Sequence, residues 1–166
     1  MNRDRGAGAV NVVPEDGSRS SRRDVPGVLL LGAGDRGRTY AEWIRRHPSR
    51  LRLVALAEPR ERVRDELAAA HRIPESRRYS DWATALAAER AVDGVIIALQ
   101  DRLHRDAALA ALARPVHVLL EKPMATTREE VLEIAAAGEQ AREGGGSLTL
   151  CHVLRCGITP GHRQGR

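Results

Sequence analysis

Phenylalanine is absent from this chain of 166 residues, and two Trp and two Tyr are all the aromatics it carries. Binders of single-stranded nucleic acid stack bases on aromatic rings, so that class loses its main support. The core must come from Ala, Leu, Val and Ile, which suits helices packed on a sheet. Cysteine is as sparse. Cys151 and Cys156 are too few and too late for a disulfide framework, and no CxxC pair of metal-site type occurs. No metal is expected, and a reducing, cytoplasmic setting fits best. No apolar run approaches the roughly 18 residues that cross a bilayer, and the N-terminus lacks a signal-peptide apolar segment, so no membrane contact is expected. Lysine occurs once, at position 122, against 26 arginines.

The net charge is +5 and the sequence pI about 10.2, which favours polyanions only if the cations cluster. They are spread over tail, helices and loops, the pattern of solvated helix faces, so no nucleic-acid partner is expected. The length allows one domain with a real core.

Residues 1–26, rich in Arg, Ser, Gly, Asp and Pro without apolar period, read as a disordered leader. The "GAGA" inside it, Gly6 to Ala9, follows no strand. From Val28 onward short apolar runs at 28–31, 51–57, 92–99, 116–120 and 147–153 read as buried strands. Ala/Leu/Arg/Glu stretches at helical spacing, 36–47, 60–71, 81–90, 104–113 and 127–143, fill the gaps, and Tyr79 marks a short edge strand. Near-continuous apolar strands alternating with helices predict an α/β fold: a doubly wound parallel sheet in three layers with right-handed crossovers. "EGGGS" at 143–147 reads as a helix stop and turn, because another strand follows at once.

In "VLLLGAGDRGRTYAEW" Gly32, Gly34 and Gly37 form GxGxxG directly after a strand and directly before a helix, as a Rossmann dinucleotide fold requires. Gly32 serves the tight turn, Gly34 lets a diphosphate approach the backbone, and Gly37 lets helix and strand pack closely. The N–H groups and positive dipole end of the helix then face the phosphates. Asp35 is expected to cap this helix and Arg36 to add a cation. Glu58, 21 residues after Gly37 at the end of the second strand, is placed to hold the adenosine ribose hydroxyls. A surface glutamate without a role is the other reading. A carboxylate there repels a 2′-phosphate and favours NAD, while Arg60 and Arg62 nearby keep NADP open.

Lys122 stands in "HVLLEKPMATT" at the end of the fifth strand, where an open α/β sheet binds its ligand. Unlike Arg, a desolvated Lys can give up its proton, or it can direct a compact charge at a substrate hydroxyl. It is the candidate catalytic residue; an ordinary cation paired with Glu121 is the alternative. Pro123 after it allows a cis turn. At another strand end, in "IALQDRLHRDAALAAL", Gln100 and Asp101 occupy the loop on the nicotinamide side and His104 opens the next helix. A lone His there more often caps or packs than catalyses, so local contacts are expected of it beside the cofactor. His47, His71, His117 and His162 have no partner at useful spacing.

"GAGDRGRTYAEW", "AEPRER", "ALQDRLHRDAALAAL", "VLLEKPMATT" and "LCHVLR", in this order and spacing, resemble the nucleotide-binding domain of the glucose-fructose oxidoreductase, inositol dehydrogenase and rhizopine catabolism family, Gfo/Idh/MocA. The resemblance implies a Rossmann domain over residues 27–155 and hydride transfer between NAD(P) and a sugar, cyclitol or related hydroxyl. Gly32, Gly34, Asp35, Arg36, Gly37, Glu58, Gln100 and His104 are then candidate cofactor-site residues, and Glu121, Lys122 and Pro123 the EKP site, with Lys122 meeting substrate and nicotinamide. The likeness stops after Arg155. Residues 156–166 read as an irregular tail, truncated or out of register, so the second family domain is expected to be absent. Little activity alone and no family-like homo-oligomer are therefore expected. A non-catalytic dinucleotide sensor or partner-binding module is the competing reading.

Overall fold

A computed structural model describes residues 25–151. The expected leader, but for residues 25 and 26, the tail 156–166, Cys156, His162 and the last two residues of the expected sixth strand lie outside the described residues. Six parallel strands stand in the order β3-β2-β1-β4-β5-β6. They are β1 (Gly27–Leu31), β2 (Arg52–Ala57), β3 (Arg78–Tyr79), β4 (Gly94–Ile97), β5 (His117–Leu120) and β6 (Ser147–Leu150). The helices between them are α1 (Asp35–Arg46), α2 (Glu61–His71), α3 (Trp82–Ala88), α4 (His104–Leu112) and α5 (Arg128–Glu143). Each predicted strand and helix is present, the two-residue edge strand at Tyr79 included.

Period-2 alternation explains why the strands read as unbroken apolar runs. Leu29 and Leu31 of β1 enter a cluster with Val95, Ile97, Val118 and Leu120 under α3, α4 and α5. Val28 and Leu30 point the other way, to Leu53, Leu56 and Ile96 under Ala41 and Ile44 of α1 and Ala68 of α2. With helices on both faces, Leu29, Leu30 and Leu31 lose all exposure. Each such burial contributes about 2 kcal/mol, and this stabilisation fixes the strand from which the glycine loop departs.

The order in which strands are added switches sides between β1 and β4, parallel neighbours at the sheet centre. There the loops after β1 and β4 run to opposite faces and leave a crevice beyond the carboxyl ends, where doubly wound sheets take their ligands.

Candidate functional site

The crevice has a volume of about 930 Å³ and is lined by Gly32, Gly34, Asp35, Arg36, Glu58, Gln100, Glu121 and Lys122, among others. Sequence positions 32 to 122 thus meet in one place. Gly37, His104 and Pro123 are not among the lining residues: Gly37 packs on Gly32, and His104 lies between the Leu99 and Pro123 carbonyls.

Each glycine has its own reason. Gly32 sits at φ +90, and a Cβ there would overlap the Ala98 carbonyl; its N–H donates to the Ala57 carbonyl at 2.8 Å. Gly37 lies against the Gly32 carbonyl oxygen with no room for a Cβ, which lets α1 start tight on the turn. At Gly34 nothing lies within 4 Å of where a Cβ would be, so its backbone faces the open crevice. Gly34 is also the N-cap of α1, and no side chain caps that end. Asp35 therefore does not cap, contrary to expectation. The cap must be extended and comes one residue earlier, at φ −69 and ψ −168, and Asp35 is already helical, its carbonyl accepting the Thr39 hydroxyl at 2.8 Å. The first-turn amides keep their donor capacity for a ligand.

Glu58 is buried at 2% exposure. Its Oε2 accepts the Ala33 amide at 2.8 Å, which ties the glycine loop to the end of β2. Its Oε1 accepts the Arg60 amide at 3.0 Å and Arg60 Nε at 2.7 Å. Burial alone would push this carboxyl up, but the donors from Arg60 and Ala33 outweigh it and hold it below its ordinary value. Arg62, expected to soften the charge at Glu58, pairs instead with Glu66 at 2.9 Å. Arg64 takes the place beside Glu58, its Nη1 donating to the Glu58 carbonyl at 2.9 Å. Arg60 and Arg64 are one helical turn apart on the strand side, whereas Arg62 is on the far side.

At the other end Glu121 is buried at 3% exposure. Its Oε1 accepts Arg36 Nε at 2.7 Å and the Tyr40 hydroxyl, and its Oε2 accepts the Lys122 amide at 3.1 Å. Burial would raise the Glu121 carboxyl; the Tyr40, Arg36 and Lys122 donors keep it lowered. Burial first, then hydrogen bonding, pushes the Tyr40 phenol up, so it stays a donor. Arg36 is thus engaged with a carboxylate rather than standing as a spare cation. Lys122 does not pair with Glu121: the carboxylate takes its backbone N–H, and among the described residues no ion pair includes its ammonium, which is exposed at the crevice wall.

His104 is buried at 1% exposure and bridges two loops, Nδ1 lying 2.7 Å from the Pro123 carbonyl and Nε2 3.1 Å from that of Leu99. The local contacts expected of it are there. The Lys122–Pro123 peptide is cis. Gln100 lines the crevice, and its carbonyl accepts the Leu103 amide at 2.8 Å. Sequence reasoning missed Tyr40, Arg64 and Trp82, which also lines the crevice. Tyr40 had a signal, since it lies four residues after Arg36 and so on the same helix face.

A loop with an open backbone at Gly34, an uncapped helix end and a buried carboxylate across the loop fit a diphosphate and its neighbouring ribose. Residues 27–144 match a family described as an oxidoreductase family with an NAD-binding Rossmann fold, GFO_IDH_MocA. The chain is 35% identical over 119 residues to inositol 2-dehydrogenase of Streptomyces avermitilis, covering 71% of this chain and 33% of the relative. It is 44% identical over 64 residues to 1,5-anhydro-D-fructose reductase of Ensifer adhaerens, covering 39% and 18%. The scyllo-inositol dehydrogenase of Lactobacillus casei, solved with NAD(H) and scyllo-inositol, superposes with a TM-score of 0.68 at 19% identity, covering 76% of this chain and 36% of that one. The chain spans a third or less of the length of these curated relatives.

Proposed function

The chain belongs to the Gfo/Idh/MocA oxidoreductase family through its NAD-binding Rossmann fold, and from that premise we propose that it binds a nicotinamide dinucleotide for hydride transfer to or from a sugar, cyclitol or related hydroxyl. The observation that carries this reading is the uncapped start of α1 behind Gly34, facing the crevice across from buried Glu58. The cofactor, when bound, supplies the hydride acceptor or donor.

The chain's own residues do the remaining work. The first-turn amides of α1 and its dipole hold the diphosphate. Glu58, kept ionised by its donors, offers its remaining acceptor capacity to the ribose hydroxyls. Lys122, with no ion-pair partner among the described residues, is the candidate to meet a substrate hydroxyl and move its proton. Residues 27–155 form the nucleotide-binding unit of this reading. Turnover by the unit alone is slow, because an open crevice leaves the reacting centre in water.

A specific observation keeps NADP as a second cofactor. Arg60 covers the Glu58 carboxylate while remaining 61% exposed at its side chain, so a 2′-phosphate would meet a guanidinium as well as a carboxylate. Titration with NADH, followed by nicotinamide fluorescence, tests the proposal. Saturable binding below millimolar cofactor is expected, and an unchanged signal at millimolar NADH overturns it. The same titration with NADPH ranks the two cofactors.

A further inference from the structure

Lys122 is the only lysine in the chain, and its exposed side chain lines the crevice with no ion-pair partner among the described residues. What fixes it there is its neighbour. Glu121 is almost wholly buried, and a buried carboxylate is tolerated only where its oxygens are satisfied. Three donors satisfy it: Arg36 Nε at 2.7 Å and the Tyr40 hydroxyl on one oxygen, the Lys122 amide at 3.1 Å on the other. Arg36 and Tyr40 lie on one face of α1, with the guanidinium 5.4 Å from the phenol ring. Arg36 is in the first turn of α1, the same turn whose amides face the crevice, and its side chain lines that crevice.

We propose that Arg36 and Tyr40 are positioning residues for Lys122. Through the Glu121 carboxylate they hold the backbone of the EKP turn against α1, so the helix end that meets the diphosphate also sets where the ammonium points. The link spans 85 residues from Arg36 and 81 from Tyr40, and it joins the first strand-to-helix turn to the end of β5. A charge-assisted bond to a desolvated carboxylate is among the stronger contacts a protein makes, which suits a part that must not drift. Only the second of the two measurements below rests on the dinucleotide reading.

Amide hydrogen exchange on Tyr40→Phe and Arg36→Met tests the link in the free protein. Loss of either donor frees the Glu121 carboxylate to turn, so the Lys122 amide exchanges about tenfold faster while β1 and β4 keep their protection. Arg36→Lys keeps a cation without the fork and restores part of the protection. An unchanged Lys122 amide in both variants overturns the inference, and so does equal acceleration in β1 and β4, which marks general loosening. The second measurement is acetylation of the Lys122 amine, read by peptide mass spectrometry with and without NADH. Cofactor protects Lys122 in the parent chain, and Tyr40→Phe loses roughly half of that protection at saturating NADH. Full protection in Tyr40→Phe overturns the coupling. If the parent chain neither binds NADH nor gains protection, the dinucleotide reading fails, and the exchange measurement still decides the link by itself.

Discussion

Two helix ends in this molecule carry opposite chemistry. At the start of α5, Thr127 accepts the Glu130 amide at 3.2 Å and Glu130 returns a bond to the Thr127 amide at 3.2 Å, a complete capping box. At the start of α1 the cap position holds Gly34, with no side chain on the free amides. Capping is worth about 1 kcal/mol, and of these two ends only that of α5 takes it. The α5 end faces solvent, and there Thr127 and Glu130 take the place of water as acceptors. The α1 end faces the crevice, and a side chain over its amides would stand where a diphosphate must lie. Stability is given up at α1 and recovered beside it, where Glu58 pins Ala33 and Glu121 pins Arg36.

This contrast can be broken by substitution. The largest effect is expected at Gly37, where a Cβ has no room against the Gly32 carbonyl. Gly37→Ala should cost about 3 kcal/mol of stability and abolish NADH binding, as followed by chemical denaturation and fluorescence. Gly34→Ala sharpens the comparison, because nothing stands within 4 Å of the added methyl in the free protein. Its denaturation midpoint should stay put while NADH affinity falls about tenfold; a lowered midpoint with unchanged affinity would make Gly34 a purely structural residue. At the other end Thr127→Ala should cost about 1 kcal/mol and leave NADH affinity alone.

The smallest expected effect is in pH. Glu58 and Glu121 have folded values held below the ordinary 4.5. They therefore contribute stability that is complete above about pH 4.5 and lost as pH falls through their lowered folded values. A denaturation midpoint followed downward from pH 6 should decline below pH 4.5, and more shallowly in Glu58→Gln.

The β1 turn, the helix after it and Glu58 were legible in the sequence because the signals are local: an apolar run, three spaced glycines, a carboxylate at the next strand end. The two-residue strand at Tyr79 was legible for the same reason. The cap was not, because which residue is extended depends on how tightly Gly32 turns, and Asp35 falls one position inside the helix. Arg62 and Arg64 were exchanged because α2 begins at Glu61 and its phase decides which arginine faces β2. The Arg36, Tyr40 and Glu121 cluster was out of reach for a different reason. Its members are over 80 residues apart, and only the sheet order, with β1 and β5 flanking β4, brings α1 to the end of β5.

The central claim is that the bare first turn of α1 is kept for a diphosphate. Backbone amide chemical shifts of Asp35, Arg36 and Gly37, followed during an NADH titration, test it most directly. All three should move together and saturate with the fluorescence signal, while the amides of Glu129 and Glu130 at the capped α5 end stay still. NADH binding that leaves the α1 amides unmoved would contradict the account.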